Sequence, residues 1–375
     1  MQFRDLQAQY HKYKEDIDAA IQKVVLSTSF IEGKEVGEIE AQLAEYVGAK
    51  NCITCANGTD AMSLVMMAWG VGAGDAVFLP DFTFFSTGEI VALTGATPVF
   101  VDVERDSFNI DAKKLEQAIQ KVISKGELIP RAIIPVDLFG LPANYPAIEA
   151  IAGKHSLLVL EDSAQGFGGS IHGRKAGSFG NAATTSFFPS KPLGCYGDGG
   201  AVFTNSEALA RLIRSLKVHG QGDDKYDNIR VGMNSRLDTI QAAVLKIKLK
   251  AFLSHELEAV NRVGYRYQEQ LKNIVKVPAI PEGFTSSFAQ YTILLKDKEQ
   301  RDRLKVKLAE KGIPTMVYYR KPMHIQRAFS DLNYEEEDFS VTNELCNMVL
   351  SLPMHPYLTE EEVDEVCKLI TEYCK

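Results

Sequence analysis

Short apolar runs rich in β-branched and aromatic residues alternate with amphipathic stretches along the first half of the chain. NCITC precedes DAMSLVMMAWG, DAVFLP precedes FSTGEIVALTG, and TPVFVDV precedes DAKKLEQAIQKVI. RAIIPVDL, YPAIEAIAGKH and LLVLEDSA continue this order. Such alternation predicts βαβ units and therefore a mainly parallel sheet between helices on both faces. The expected fold class is α/β.

A long helical pattern, SRLDTIQAAVLKIKLKAFLSHELEAVNRVGYRYQEQL, follows Asn234. Because it is longer than a typical crossover helix, we interpret it as a spine that joins two lobes. Beyond it, AQYTILLK, KEQRDRLKVKLAEKG, IPTMVYY and TEEEVDEVCKLITEYC predict a smaller α/β unit. We therefore place a large domain at residues 1–255 and a small C-terminal domain at 256–375, with the N-terminal helix free to pack on the small domain.

Length and composition are those of a globular protein of enzyme size. The 375 residues suit one large domain with a smaller companion, and 45% are hydrophobic and 24% charged. The net charge of −8, without a basic block interleaved with aromatics, argues against a nucleic-acid partner. The charged N-terminal stretch is unlike a signal peptide, and the apolar runs are too short to span a bilayer. We expect a cytoplasmic protein with no membrane partner.

Two of the six cysteines, Cys52 and Cys55, form a CxxC pair inside the strand-like NCITC. A zinc site would need a second CxxC or a histidine pair at a suitable spacing, and we find neither in the sequence. Buried thiols are the preferred interpretation, and no metal is expected.

Ligands of doubly wound sheets collect at the carboxyl ends of strands, so the residues after each apolar run are the candidates for a site. Gly58 and Thr59 follow NCITC and open a helix. Glycine permits close approach of the backbone, and the free amides of a first helical turn favour an anion. An ordinary capped helix start explains the same residues.

A second candidate lies where the strand LLVLEDSAQ ends in Glu161 and Asp162. Side chains alternate along a strand, so only one of these carboxylates is expected to face a site. A buried carboxylate requires a cation or hydrogen-bond donors. The pattern fits a functional acid and a strand-end cap equally well.

A third candidate is Lys191, which stands in a glycine-rich turn after the aromatics of SFFPSK. Partial desolvation among Phe187 and Phe188 would lower its pKa and free the amine as a nucleophile. Ser186 ends the preceding apolar run. A solvated lysine in a tight turn fits the charge but not these aromatic neighbours.

Asn234 and Arg236 stand before the long helix as a fourth candidate, although Asn234 could be a cap and Arg236 could pair with Asp238. Pyridoxal phosphate is a cofactor that uses such places together, because it needs an amine, a carboxylate against its ring nitrogen, and donors for its phosphate. Lys191 and Asp162 supply the first two roles. The phosphate donors are expected from Gly58, Thr59 and Ser186.

An aromatic face over the ring is the remaining requirement of this cofactor. Phe84, in PDFTFF after the strand DAVFLP, is the candidate. The alternative is that all three phenylalanines of this segment belong to the core.

These segments together resemble the DegT/DnrJ/EryC1/StrS family of sugar aminotransferases, which are fold type I pyridoxal phosphate enzymes with a large and a small domain. The family's glycine-threonine loop falls on Gly58-Thr59, its stacking aromatic on Phe84, its Glu-Asp-x-Ala-Gln segment on residues 161–165, and its cofactor lysine on Lys191. The resemblance implies that Gln165 helps to hold the cofactor.

The family's Asn-x-Arg segment matches Asn234-Ser235-Arg236. The resemblance implies that Asn234 reaches across a dimer interface to the cofactor phosphate of the other subunit. The expected assembly is therefore a homodimer with shared active sites.

Within the family, SFFPSKPLGCYGDGGA and NSRLDTIQAA are most similar to members that aminate C3 of UDP-2-acetamido-2-deoxy-3-oxo-glucuronate in bacterial surface polysaccharide biosynthesis. L-glutamate is the donor that this resemblance implies, with 2-oxoglutarate as its product. Another nucleotide-linked 3- or 4-keto-sugar is the alternative substrate. YYRKPMH departs from the HYPxPLH of many members and supplies three candidate substrate contacts: Tyr319, Arg320 and His324.

Arg236, helped by Arg320, is our candidate partner for a substrate carboxylate, because the guanidinium fork suits bidentate pairing. The implied reaction is a ping-pong transamination in which Lys191 acts as general base and then as general acid. A sugar dehydratase of the same fold would carry histidine in place of Lys191. A non-catalytic binding or regulatory protein is the alternative of a different class.

Overall fold

The computed structural model describes residues 1–224 and 226–374, and a mixed sheet lies at the centre of this part of the chain. The strands are β1 Asn51–Cys55, β2 Asp75–Pro80, β3 Thr97–Val101, β4 Ile129–Ile133, β5 Leu158–Asp162, β6 Ser170–Ile171, β7 Arg174–Lys175, β8 Ala182–Ser186, β9 Gly200–Thr204, β10 Phe284–Thr285, β11 Tyr291–Leu294 and β12 Val349–Leu352. The central sheet has the order β1-β9-β8-β5-β4-β2-β3. Its strands are parallel except β9, which runs antiparallel to both β1 and β8.

Helices cover both faces of this sheet. They are α1 Leu6–Ser27, α2 Lys34–Val47, α3 Gly58–Ala68, α4 Ser86–Leu93, α5 Ala112–Lys125, α6 Tyr145–His155, α7 Glu207–Leu216, α8 Thr239–Ala251, α9 Leu257–Leu271, α10 Lys298–Glu310, α11 Ser340–Met348 and α12 Glu360–Cys374. One buried cluster joins the sheet to α3, α4 and α7, and another joins it to α5 and α6. The predicted α/β class with a mainly parallel sheet is confirmed.

Helix α5 illustrates how the local sequence sets the bounds of an element. The side chain of Asp111 accepts hydrogen bonds from the first-turn amides of Lys113 and Lys114, so the helix begins there. It ends at Gly126, whose φ of 67° is a left-handed conformation that glycine adopts without strain. Between these caps, Leu115 and Ile119 are spaced one turn apart and are both buried.

The predicted spine is α8 and α9, joined by a π-helical turn at Phe252–Glu256. A separate buried cluster lies beyond this turn and is built mainly from α9, β11, α10, β12 and α12. The predicted boundary at residue 255 falls inside the turn and stays a prediction. Helix α1 packs along α8, while Met1 contacts the C-terminal cluster.

The C-terminal unit differs from the sequence expectation at one strand. IPTMVYY makes a single bridge, from Met316 to Ser351, whereas the strand beside β11 is β12. Residues 349–352 are fully buried, but Met316 is exposed. The sequence of a short apolar run does not show whether the run pairs in a sheet. Here the buried run at residues 349–352 pairs with β11, whereas IPTMVYY makes only the one bridge.

Cys52 and Cys55 lie in β1 as buried free thiols, as interpreted from the sequence. Burial raises the pKa of both thiols. Among the described residues, no helix combines the length and the apolar composition that crossing a membrane requires.

Candidate functional site

A cleft of about 990 Å³ opens where β2, β5 and β8 end, and most of the predicted site residues line it. Carboxyl ends of parallel strands meet at one edge of a sheet, which is why segments far apart in the sequence converge here. The lining includes these predicted residues: Gly58, Thr59, Phe84, Asp162, Gln165, Ser186, Lys191, Tyr319 and Arg320.

Gly58 and Thr59 form the first turn of α3 on one wall of the cleft. Asn57 caps this helix, since its Oδ1 accepts the amide of Asp60 at 2.8 Å. A Cβ on Gly58 would lie 2.8 Å from Cβ of Ser186, so glycine is what allows the hydroxyl of Ser186 to stand beside the helix start. Free amides, a helix dipole and a hydroxyl together form a cradle for an anion such as phosphate.

Asp162 ends β5 at the floor of the cleft. Its Oδ1 accepts the amide of Ala164 at 3.1 Å, and its Oδ2 accepts the hydroxyl of Thr87 at 3.3 Å. Thr87 is in turn bonded to Thr83 at 3.1 Å. Burial raises the pKa of Asp162, while Lys191 opposes this shift. A cation placed against this carboxylate would therefore be held strongly.

Glu161 points away from the cleft, as strand alternation predicts. Its carboxylate accepts the amides of Gly177 and Phe179, both at 2.7 Å. It also lies against the carboxyl of Asp137. Oδ2 of Asp137 has no other donor among the described residues, so a hydrogen bond between the two acids requires a proton on one of them. Burial raises the pKa of both acids, so this pair retains a proton beneath Asp162.

Lys191 lies in the loop between β8 and β9, and its amide donates to the carbonyl of Phe188 at 2.9 Å. Burial lowers the pKa of its amine; Asp162 raises it, and the nearby guanidinium of Arg4 lowers it. The neutral amine, which is the nucleophilic form, is thereby more populated than in a solvated lysine.

Phe84 and Tyr319 face each other across the cleft with ring centroids 6.4 Å apart. Phe84 is 55% exposed, so its ring face is available to a ligand rather than packed in the core. Tyr319 is positioned by Gln165, whose Nε2 donates to its hydroxyl at 3.2 Å and whose Oε1 accepts the amide of Phe139 at 2.8 Å. The aromatic and amide residues thus form one connected wall.

The donor set fits pyridoxal phosphate. The cradle at Gly58 and Ser186 suits a phosphate, since a Cβ on Gly58 would fill it. The buried carboxylate of Asp162 suits a protonated ring nitrogen, and the exposed face of Phe84 suits a planar ring. Lys191 adds an amine to the same cleft.

Three predicted residues do not line the cleft. Asn234 is exposed, and Arg236 lies two residues beyond it, outside the cleft lining of the same chain. His324 is buried under the wall: its Nδ1 lies 2.7 Å from Oδ2 of Asp81, and its ring stacks on Phe339 at 4.2 Å. Direct contact of His324 with a substrate therefore has no support in this geometry. The histidine instead ties the segment of Tyr319 to the loop that carries Phe84.

The polar residues that the sequence reasoning missed include Gln290, in the cleft lining, and Thr87, which bonds a residue of that lining. Thr87 bonds Asp162 although 75 positions separate them. Gln290 lines the cleft with a buried side-chain oxygen that has no partner among the described residues. A threonine in the first turn of a predicted helix was the available signal for Thr87, whereas nothing in the sequence marked Gln290.

Comparisons with known proteins show the family of this chain. The pattern of the DegT/DnrJ/EryC1/StrS aminotransferase family matches residues 11–371. The chain is 45% identical over 374 residues to UDP-2-acetamido-2-deoxy-3-oxo-D-glucuronate aminotransferase of Pseudomonas aeruginosa, covering 99% of both chains. It is 41% identical over 373 residues to a protein of Geobacillus stearothermophilus named pleiotropic regulatory protein, covering 98% and 97%.

A solved structure extends this likeness to three dimensions. The crystal structure of a DegT DnrJ EryC1 StrS aminotransferase from Brucella abortus matches with a TM-score of 0.96 and 50% identity, covering 100% of this chain and 99% of that chain.

Proposed function

Since the chain belongs to the DegT/DnrJ/EryC1/StrS aminotransferase family, we propose that it transfers an amino group from L-glutamate to C3 of UDP-2-acetamido-2-deoxy-3-oxo-glucuronate. It is a pyridoxal phosphate-dependent aminotransferase that acts on nucleotide-linked keto-sugars. The choice of sugar and carbon is supported by the 45% identity to the Pseudomonas aeruginosa enzyme. The product would serve bacterial surface polysaccharide synthesis.

The observation that carries the proposal is the convergence of Lys191, Asp162 and the Gly58–Ser186 cradle in one cleft. Bound there, pyridoxal phosphate supplies an electron sink for the electrons released when a proton leaves the amino-acid Cα. Asp162 would keep the ring nitrogen protonated, because its buried carboxylate is stabilised by an adjacent positive charge. Thr87 orients that carboxylate through its hydroxyl.

Lys191 has two roles in this proposal. With the cofactor bound, its amine would hold that group covalently. When free, the same amine would remove the Cα proton of the donor as a general base and would then deliver it as a general acid. Partial burial supports both roles, because it favours the neutral amine.

Asn234 and Arg236 lie outside the cleft of their own chain, which supports a proposed homodimer in which each subunit completes the other's site. In this arrangement Asn234 binds the cofactor phosphate of the other subunit. Arg236 there pairs with the sugar carboxylate, together with Arg320 from the cleft wall. The carboxylate is the feature that would separate a uronic acid from an uncharged keto-sugar.

The test begins with the visible absorption spectrum of the protein with pyridoxal phosphate, before and after L-glutamate is added. We expect a band of lysine-bound cofactor that glutamate bleaches. Lys191→Ala should lack this band, while the exposed-lysine control Lys113→Ala should retain it. A wild-type protein without the band would contradict the assignment of Lys191.

The sugar is tested next, with a panel of nucleotide-linked 3- and 4-keto-sugars and their uronic acid forms. We expect the 3-oxo-glucuronate to be aminated with the highest kcat/KM. Arg236→Lys should raise KM for this acid with less effect on an uncharged sugar, because lysine cannot make the bidentate pair. Preference for an uncharged sugar would replace the proposed substrate. Cofactor binding without transfer to any sugar would instead favour a regulatory role.

A further inference from the structure

Arg4, in the segment before α1, contacts the loop that carries Lys191. Its Nη2 donates to the backbone carbonyl of Lys191 at 2.8 Å, across 187 positions of sequence. Both residues also line a second, smaller cavity, which has room for about one water molecule. Lys191 therefore lines two cavities, the cleft described above and this smaller one.

The backbone around Arg4 is held on both sides. The carbonyl of Phe3 accepts the amide of Met354 at 3.1 Å, and the ring of Phe3 lies edge-on to Tyr318 at 6.3 Å. On the other side, Asp5 caps α1 by accepting the amide of Ala8 at 2.7 Å. Anchors of this kind limit how far the guanidinium can move away from Lys191.

The charges around this guanidinium leave it positive. Burial lowers the pKa of Arg4 to about 10, and Glu256 and then Tyr357 oppose this shift. Burial also lowers the pKa of His355 to about 4, so this ring is neutral at pH 7. Burial lowers the pKa of Lys248, which lines the same small cavity, to about 8. Glu256 is shared with Gln9 and Tyr357, which both donate to its carboxylate.

We propose that Arg4 is a positioning residue for Lys191: its guanidinium fixes the backbone carbonyl of this lysine and keeps a permanent positive charge beside its amine. The two charged groups acting on the amine are Asp162, which favours the ammonium, and Arg4, which opposes it. Without Arg4, the carboxylate of Asp162 would hold more of Lys191 in the unreactive protonated form. Arginine suits this role because it keeps its charge even when buried.

The proposal is tested on the cofactor-free protein by competitive labelling with acetic anhydride across a pH series, with the Lys191 peptide quantified by mass spectrometry. The labelling rate follows the neutral fraction of the amine. In Arg4→Met, we expect the rate at pH 7 to fall roughly three- to tenfold, because the titration of Lys191 moves to higher pH. Arg4→Lys should fall between Arg4→Met and the wild type, because a buried ammonium keeps less of its charge than a guanidinium.

A matched control is Arg131, whose Nη2 donates to the carbonyl of Trp69 at 2.7 Å on the protein surface. Arg131→Met removes the same kind of bond and should leave the labelling of Lys191 unchanged. A folded Arg4→Met with wild-type titration would overturn the proposal, even if its melting temperature falls. If Arg4→Met does not fold, Arg4→Gln takes its place.

The inference rests on the proposed role of Lys191, but the labelling experiment uses neither cofactor nor sugar. If the labelling result contradicts the role of Arg4, the proposed transamination is unaffected. Conversely, a change in labelling would hold whichever sugar the enzyme accepts.

Discussion

Substituting Gly58 by alanine should weaken binding of the cofactor phosphate more than it weakens the fold. The added Cβ would lie 2.8 Å from Cβ of Ser186 and 3.3 Å from its Oγ, so the serine must move. Such overpacking costs about 1–3 kcal/mol, and the better helix propensity of alanine offsets about 1 kcal/mol of this. The free energy of unfolding should therefore fall by about 2 kcal/mol or less.

The effect on binding is expected to be larger, because the displaced hydroxyl and the first-turn amides would no longer point at the phosphate. One hydrogen bond to a charged group contributes about 1.5–3 kcal/mol. Its loss raises the dissociation constant roughly ten- to hundredfold. Pyridoxamine phosphate is the proper ligand for this measurement, because it lacks the aldehyde that reacts with Lys191. Titration of the cofactor-free protein by fluorescence gives the constant, and calorimetry gives the stability.

Gly37 provides the matched control, since it also lies in a helix, and a Cβ there would meet no atom within 4 Å. Gly37→Ala should leave the dissociation constant unchanged and stabilise the fold by up to about 1 kcal/mol. The reasoning would be refuted if Gly58→Ala bound pyridoxamine phosphate within twofold of the wild type. It would also be refuted if Gly37→Ala weakened binding to the same extent.

Three further predictions concern charge and assembly. Asp162→Asn should slow the half-reaction with glutamate on the order of 10²-fold in stopped-flow absorbance, because an amide does not stabilise a protonated ring nitrogen; an unchanged rate would exclude Asp162 as the partner. Burial raises the pKa of Asp137 to about 7 from 3.8, with Glu161 shifted in the same direction, so the unfolded state releases protons that the folded state keeps. The contribution of Asp137 to the free energy of unfolding should therefore decrease between about pH 4 and pH 7, by about 4 kcal/mol or less, and Asp137→Asn should remove this part of the pH dependence in urea titrations at several pH values. Mixing inactive Lys191→Ala with Asn234→Ala subunits should restore activity in roughly a quarter of the sites if Asn234 serves the other subunit, whereas no recovery after subunit exchange would contradict a shared site.

Much of the cleft was predictable because its chemistry follows strand ends that the sequence pattern marks. Gly58, Asp162 and Lys191 each follow an apolar run that forms a strand, and all three line the cleft. His324 was misplaced for the opposite reason. The family motif at YYRKPMH suggested a substrate contact, but the partner of His324 is Asp81, 243 positions away, and both side chains are buried.

The sequence alone determined the local structure of this protein: the alternation of strands and helices, the caps of α3 and α5, and the residues at the ends of β5 and β8. Periodicity shows which face of an element is buried, but not which element it meets. The antiparallel insertion of β9, the bond from Thr87 to Asp162 and the contact of Arg4 with Lys191 were decided only by the tertiary structure. Each of these features depends on how distant segments pack together. Burial against those segments also shifts the pKa of Asp162 and of Lys191 away from the ordinary values of their residue types.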